Sequence, residues 1–456
     1  MASTKLYKQQ VNASNRKKFT ISLWFKRSGL TGSSGNGQYL FESYLDSSNR
    51  IRVELNSNEE LKIIQNQSGS TNFKLSSTSM KFRDTSGWYH LVIAVDTTLS
   101  TASDRGKMYI NGTRITSFSS TTDFPLDNTP SQGNSGYGVY IGGYGGGSSN
   151  FYDGLISHYN FVDGTAYDPS YFGETDATTG EWKIKTSPSV TYGANGFFIL
   201  KDGNSVTDQS GNSNNFAVSS GTLTKTEDNP SNIFASINNV LGTDVVGSTC
   251  TFSNGNTVAE DPNGSASGIN PNFISTLGMP SKGKWYCELQ PSSFSTSSGH
   301  SIGIYRTKGS TDDTGEGDLE GSAAKIRYIF ADTAIYIIKY GTNDQTGLTA
   351  ITSGQTVGMA LDLDNGTLQY YVNGSTRANV ITGINSANDG FDYFFHAGLE
   401  SSSSGRYGKY SWNFGNGAFG STQLTGTTYQ DSQGRGIFKH QPPTNFLALC
   451  TRNLNV

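Results

Sequence analysis

Glu316, Asp318 and Glu320 alternate within TDDTGEGDLEGS, a spacing that on a strand would gather the carboxylate pair a glycoside hydrolase requires. On a strand they project to one side, where one acts as acid and another as nucleophile or base. Gly315, Gly317 and Gly321 break this stretch into a loop, which does not preorganise such a pair. Glu174, Asp176 and Glu181 are acidic neighbours at the wrong spacing. The histidines, His90, His158, His300, His396 and His440, are dispersed, and spacing alone assembles no Ser-His-Asp or Cys-His set. Asp362 and Asp364 in DLDNGT have carboxylates suited to calcium, but the later acidic ligands of an EF-hand loop are missing. A hairpin turn capped by Asp and Asn is the simpler reading. Cys250, Cys287 and Cys450, scattered and odd in number, make neither a disulfide framework nor a zinc set. The expectation is no catalytic residue, no metal and no cofactor.

Sugar binding has better material. Carbohydrate sites stack aromatic rings on sugar faces and bond the hydroxyls with Asn, Asp and backbone groups. Tyr137, Tyr140, Tyr144 and Tyr152 surround the glycine-rich run GGYGGGSSN and have that composition. Half of any strand's side chains point inward, so the same tyrosines fit a core or a subunit interface equally well. The glycine run has no following helix with Lys-Ser/Thr, so it does not read as a phosphate cradle. It reads as an exposed, mobile loop.

These residues must be positioned by strands. Gly is present 55 times, which leaves little material for long helices, while 24 Tyr and 25 Phe supply large apolar areas to a hydrophobic fraction of only 34%. Disordered chains are poor in aromatics, so disorder fits worse. At 456 residues the chain is too long for one core. Within Gly87 to Thr113, two apolar runs are joined by a Thr/Ser/Asp loop and closed by Asn111-Gly112, a strand, loop, strand and tight turn. Val357 to Gly374 repeats the device and ends at Asn373-Gly374. Phe19, Ile21, Leu23 and Phe25 alternate in FTISLWFK as a half-buried strand, with Trp24 on the other face. One helical turn is expected after Asp168-Pro169.

Short strands with turn signals between them predict an all-β protein of two tandem antiparallel β-sandwiches. The boundaries are 1–225 for the first, 226–232 for a linker at the composition break TEDNPS, 233–433 for the second, and 434–456 for a C-terminal segment whose apolar FLALC should be docked. The net charge of −4 has no basic cluster beyond Arg16-Lys17-Lys18, so nucleic acid is not an expected partner. The first residues lack an apolar core and no long apolar run follows, so neither a secretory signal nor membrane insertion is expected.

Several segments carry a resemblance. FTISLWFK, SGWYHLVIAVD, KMYINGTRI and FYDGLISHYNFVDG resemble the laminin-G-like, concanavalin A-type jelly roll, and GKWYCEL, HSIGIY, VGMALDLDNGTLQYYVNG and YSWNFGNGAFG resemble a SPRY-type sandwich. The run from GTAYDPSYFGETDATTGEW to DNPSNIFASINN, and the closing YQDSQGRGIFKHQPPTNFLALCTRNL, are similar to virion proteins of tailed phages, marine ones especially. The resemblance implies a non-enzymatic protein on the exterior of a virion, made in the host cytoplasm, as a tail-fibre or appendage part or a head decoration. Its implied partners are other virion proteins, further copies of itself, with a trimer among the forms allowed, and host cell-surface polysaccharide. The alternatives are a virion-borne polysaccharide hydrolase, a purely structural capsid decoration, and a SPRY-type module that binds a host protein.

Overall fold

The computed structural model describes residues 3–10, 14–30, 37–77, 80–132, 134–201, 203, 206–239, 250–261, 272–296, 299–306, 325–332, 334–384, 391–399 and 407–454. The chain divides into two compact units between Leu223 and Thr224. The all-β, antiparallel expectation holds in both.

Unit 1 contains β1 (Lys5–Gln9), β2 (Lys18–Arg27), β3 (Gln38–Asp46), β4 (Asn49–Leu55), β5 (Leu61–Gln67), β6 (Ser70–Ser77), β7 (Tyr89–Asp96), β8 (Gly106–Ile110), β9 (Thr113–Arg114), β10 (Phe118–Thr122), β11 (Gly138–Ile141), β12 (Gly154–Asp163), β13 (Gly173–Thr175), β14 (Trp182–Ile184), β15 (Phe197–Ile199) and β16 (Ala217–Ser220). Eight strands form one sheet in the order β10-β6-β5-β4-β3-β11-β1-β16, six form the other as β15-β12-β2-β7-β8-β9, and β13 pairs with β14. Between the large sheets lies one core, where Phe19, Ile21, Leu23 and Phe25 meet Phe41, Ile51 and Val53. Each such side chain contributes about 1.5–3 kcal/mol by leaving water.

β2 is not half-buried as its alternation predicts, because Trp24 is also shielded. The His90 ring lies 4.7 Å from Trp24 and 5.9 Å from Trp182 of β14, both nearly parallel to it. Val92, Val162 and Phe172 make a second small cluster nearby. The outer face of the six-stranded sheet is therefore covered by the chain's own later residues. The expected turn after Asp168 is a 3-10 turn over Pro169–Tyr171, capped by the Asp168 carboxylate.

The repeated Asn-Gly turns share one clasp. Asn111 and Asn373 adopt φ of 47° and 50°, followed by Gly112 and Gly374 at 79° and 80°, the left-handed pair a tight hairpin turn requires. Asn111 donates its N–H to His90 O at 2.9 Å and accepts the His90 N–H on Oδ1 at 2.8 Å. Asn373 does the same with Thr356, at 2.8 and 3.0 Å.

Unit 2 contains β17 (Thr251–Ser253), β18 (Val258–Asp261), β19 (Asn272–Ile274), β20 (Lys284–Phe294), β21 (His300–Arg306), β22 (Lys325–Ala331), β23 (Tyr336–Lys339), β24 (Thr342–Thr346), β25 (Val357–Asp362), β26 (Thr367–Val372), β27 (Ser375–Ile381), β28 (Tyr393–Leu399) and β29 (Gly408–Asn413). One sheet runs β17-β18-β29-β20-β25-β26-β27 and the other β19-β28-β21-β22-β23-β24. Trp285, Met359, Tyr370, Phe395 and Trp412 are in the core between them.

Residues 224–232 pack on this unit: Glu227 N–H donates to Asn416 O at 3.1 Å, and Asn232 Oδ1 accepts the Arg452 N–H at 3.2 Å. The closing segment docks on the same unit. Leu447–Ala448 pairs parallel with Trp285–Tyr286 of β20, and Phe438, Ala448 and Cys450 pack with Phe234 and Tyr286. Glu288 of β20 fixes the segment by accepting the N–H groups of Lys439 at 2.8 Å and His440 at 2.7 Å.

Candidate functional site

The outward face of the eight-stranded sheet follows from register. Tyr7 of β1 lies opposite Tyr140 of β11, Tyr140 opposite Glu42 of β3, and Glu42 opposite Arg52 of β4. Alternation puts Lys5, Tyr7, Tyr140, Glu42, Tyr44, Arg50, Arg52 and Glu54 on one side, away from the core that takes Leu6, Val139, Phe41, Ile51 and Val53. Lys62 and Lys74 continue that side, through the Glu54–Lys62 and Ile64–Lys74 pairings.

Four rings gather at one end of this face. Tyr7 and Tyr140 are 5.0 Å apart, Tyr44 meets Tyr140 edge-on at 6.4 Å, and Tyr144 meets Tyr44 edge-on at 5.5 Å. Such edge-to-face pairs add about 0.5–1.5 kcal/mol each. All four are half-buried, so each presents part of a ring and its hydroxyl to solvent. Lys5 lies 5.4 Å from the Tyr140 ring centroid and Arg50 lies 5.7 Å from that of Tyr144.

Two of the tyrosines expected here are elsewhere. Tyr137 is 8% exposed, and Tyr152, 5% exposed, points into the core with its hydroxyl donating to Lys26 O at 2.7 Å. Neither ring can stack on a sugar. Tyr140 and Tyr144 remain, joined by Tyr7 and Tyr44. The glycine run is only partly the exposed loop expected: Gly146 and Ser148 are exposed, but the run lies on the tyrosines as a roof. Gly145 donates its N–H to Glu42 Oε2 at 2.7 Å, and Lys5 Nζ donates to the carbonyls of Tyr144 and Gly147, both at 2.8 Å. A Cβ on Gly146 would stand 2.4 Å from Tyr144 Oη and 2.6 Å from Tyr44 Oη, so only glycine lets the loop lie this close.

Glu42 is fully buried beneath this roof, 3.3 Å from Arg50 Nη1. Burial pushes its carboxyl up to about 7, outweighing the Gly145 N–H and the Arg50 charge, which favour ionisation. At Glu54 burial also works upward, but Arg52 at 2.7 Å and Lys62 at 3.1 Å overcome it and hold that carboxyl below its ordinary range. The hydrogen bond with Tyr144, with burial, raises the Tyr44 hydroxyl to about 12. At neutral pH the Tyr44 and Tyr140 hydroxyls, both raised, are uncharged donors and acceptors.

His90, Asp362 and Asp364 are held by structural partners. Ser22 Oγ is 2.9 Å from His90 Nε2, the spacing of a nucleophile and its base. Trp182 Nε1, however, donates to His90 Nδ1 at 2.9 Å, so a neutral ring carries its proton on Nε2 and cannot accept one from Ser22. Burial lowers the ring to about 3. Asp362 accepts the N–H groups of Asp364 and Asn365 at 3.1 and 3.0 Å and pairs with Lys284 at 2.7 Å, which makes it a turn cap. Asp364 accepts the Gly283 N–H at 2.8 Å. Among the described residues no group of three His, Cys, Asp or Glu side chains is placed to hold a metal. Glu316, Asp318 and Glu320 lie outside the described residues.

Glu42, Tyr44, Arg50, Arg52 and Glu54 were not singled out from sequence. Their signal was there as alternation: FESY and RIRVEL place apolar and polar side chains on opposite faces.

Residues 3–170 match the family model of the concanavalin A-like lectin/glucanases superfamily. No curated protein sequence matches the chain. Among solved structures, the SPRY domain of human HERC1 is similar at 16% identity and a TM-score of 0.28, covering 37% of this chain and 97% of that one. The PSpry domain of TRIM65 is similar at 12% identity and a TM-score of 0.28, covering 39% and 91%. A heptameric SAP-like pentraxin from Limulus polyphemus is similar at 19% identity and a TM-score of 0.26, covering 36% and 71%.

Proposed function

We propose that the chain is a non-enzymatic surface protein of a tailed-phage virion that binds host-surface glycan through the outward face of the eight-stranded sheet in unit 1. The observation that carries the binding role is the half-buried cluster of Tyr7, Tyr44, Tyr140 and Tyr144 beside Glu42 and Arg50. Rings offer apolar contact to sugar C–H faces, while the tyrosine hydroxyls and the Arg50 guanidinium match sugar hydroxyls. The match of residues 3–170 to a lectin and glucanase superfamily supports the same reading. The virion assignment rests on the resemblance of the run from Gly164 to Asn239 and of the closing residues to phage proteins.

A glycan array probed with the purified chain tests the binding role. The expected result is retention on at least one glycan class, weakened roughly tenfold by Tyr140→Ala or Tyr44→Ala, which corresponds to about 1.4 kcal/mol. A blank array, or variants that bind like the parent, sinks it. Cryo-electron microscopy of the particle tests the location: density at a tail appendage is expected, and density over capsomers turns the protein into a head decoration.

A polysaccharide hydrolase has one observation in its favour. Glu42 lies opposite Arg52, and Glu54 is two residues further along β4, so the two carboxylates are diagonal neighbours on one face. Diagonal residue positions are roughly 7–8 Å apart, from which two carboxyls can reach the separation of about 6.5–9.5 Å that inverting glycosidases hold. Their surroundings also push them in opposite directions, one toward an acid and one toward a base. Against this, Glu42 has no exposed surface. Release of reducing ends from a bound polysaccharide, abolished by Glu42→Gln, would establish the hydrolase.

A further inference from the structure

Resting on the glycan-binding reading, we infer that the glycan taken by this face is acidic, a polysaccharide bearing carboxylate or sulfate groups. The argument is one of charge placement. The chain as a whole carries −4. On the outward face the balance is reversed, because register brings Lys5, Arg50, Arg52, Lys62 and Lys74 to the same side as only two carboxylates, Glu42 and Glu54. Even counting Asp46, which caps the β3–β4 turn at the rim, and Glu60, which precedes Lys62 by two residues and pairs with Lys81, cations outnumber carboxylates six to four. Of the unit 1 residues outside the described set, only Asp202 is charged, so this count holds for the strands as they stand.

The ion pairs do not cancel the excess. Glu54 is shared by Arg52 and Lys62, and Glu42 pairs with Arg50. Lys5 Nζ is bound to two carbonyls, which satisfy its hydrogen bonds and leave its charge. Half-buried cations on a partly shielded sheet project a stronger field than the same charges on an open surface. A neutral glycan gains nothing from that field, whereas a uronate or sulfate ester does.

Aromatic rings beside cations also suit single-stranded nucleic acid. Here the rings meet edge to face, so no stack of parallel ring faces is set out for successive bases.

The test is binding of the full chain to dextran, polygalacturonate, dextran sulfate and single-stranded oligodeoxythymidine, at about 50 and about 500 mM NaCl. The expected result is retention on polygalacturonate or dextran sulfate at least roughly tenfold above dextran, falling about tenfold at the higher salt. Lys62→Gln with Lys74→Gln, outside the tyrosine cluster, should weaken it about fivefold. Lys17→Gln with Lys183→Gln, which removes the same charge elsewhere on unit 1, should leave it within about twofold.

Equal, salt-independent binding to dextran overturns the acidic class and leaves the glycan reading standing. Stronger binding to the oligodeoxythymidine overturns it in favour of nucleic acid, and equal weakening by the two double variants overturns the assignment to this face. If neither the four probes nor a glycan array retains the chain, both readings fall.

Discussion

Glu42 carries a carboxylate into a place without water, and that makes it a pH-sensitive residue. Facing it are Arg50 and Arg52 from β4, Tyr39 and Tyr44 from β3, Tyr140 from β11, Lys5 from β1, and Tyr144 with the Gly145 N–H from the roof. Its carboxyl is raised from an ordinary 4.5 to about 7, so the folded unit holds this proton more tightly than the unfolded chain does. The associated stability is complete below about pH 4.5 and is lost as pH rises through about 7, a swing of roughly 3 kcal/mol. Glu42→Gln keeps an oxygen for the Gly145 N–H and cannot ionise. Urea unfolding between about pH 4.5 and 8 should show unit 1 losing stability in the parent and holding level in the variant, and parallel curves would refute the assignment. At this scale the sequence was only partly legible. Composition drew attention to Tyr140 and Tyr144, but it could not distinguish them from Tyr137 and Tyr152, whose rings turn inward. Glu42 escaped notice because its neighbours, Arg50 and the Gly145 N–H, come from separate segments that only the sheet brings together.

The elements were easier to read than the contacts between them. Alternation located the central strands of unit 1, though not β1 or β10, and Asn-Gly marked the turn twice, because left-handed backbone at two successive positions leaves few residue choices. What local pattern does not encode is the covering of a strand's second face. FTISLWFK looks half-buried until Trp24 is closed over by His90 and Trp182, the latter more than 150 residues further along the chain. The glycine run misled for a similar reason: without side chains it has no pattern, yet that lack is what lets it lie against Tyr44 and Tyr140. The Gly112 turn shows how the two constraints combine. A Cβ there would meet left-handed strain, at φ of +79°, and a Trp182 ring carbon 2.6 Å away. Gly180 has a similar φ of +75° with nothing within 4 Å. Gly180→Ala should therefore cost only the strain, about 1 kcal/mol, and Gly112→Ala about 3 kcal/mol, with a changed near-ultraviolet circular dichroism signal as Trp182 leaves His90. Equal costs, or an unchanged spectrum, would show that Trp182 is not seated by that turn.

At the scale of the whole molecule, two closed cores follow from the amount of apolar material and where it falls. Large aromatic residues are spread along the chain in strand-length runs, and neither set of runs is long enough for one sheet pair to serve both halves. The composition break at TEDNPS marks a change of unit, while the division itself falls a few residues earlier, between Leu223 and Thr224. The offset has a local cause: the Glu227 N–H is used by Asn416 O and the Asn232 side chain by the Arg452 N–H, so a turn-rich stretch that looks like a linker is tied down by hydrogen bonds. The closing residues are tied in the same manner by Glu288, whose buried carboxyl is also raised to about 7. Each core should then melt as its own cooperative transition. Leu23 is enclosed in the first core and Leu361 in the second, both without exposed surface. Leu23→Ala and Leu361→Ala should each remove about 2–5 kcal/mol from one unit, lowering one calorimetric transition by roughly 5–15 °C while the other moves by less than about 2 °C. If either variant shifts both transitions together, the two cores are one cooperative system, and the face of unit 1 proposed to bind glycan would then owe its stability to unit 2 as well.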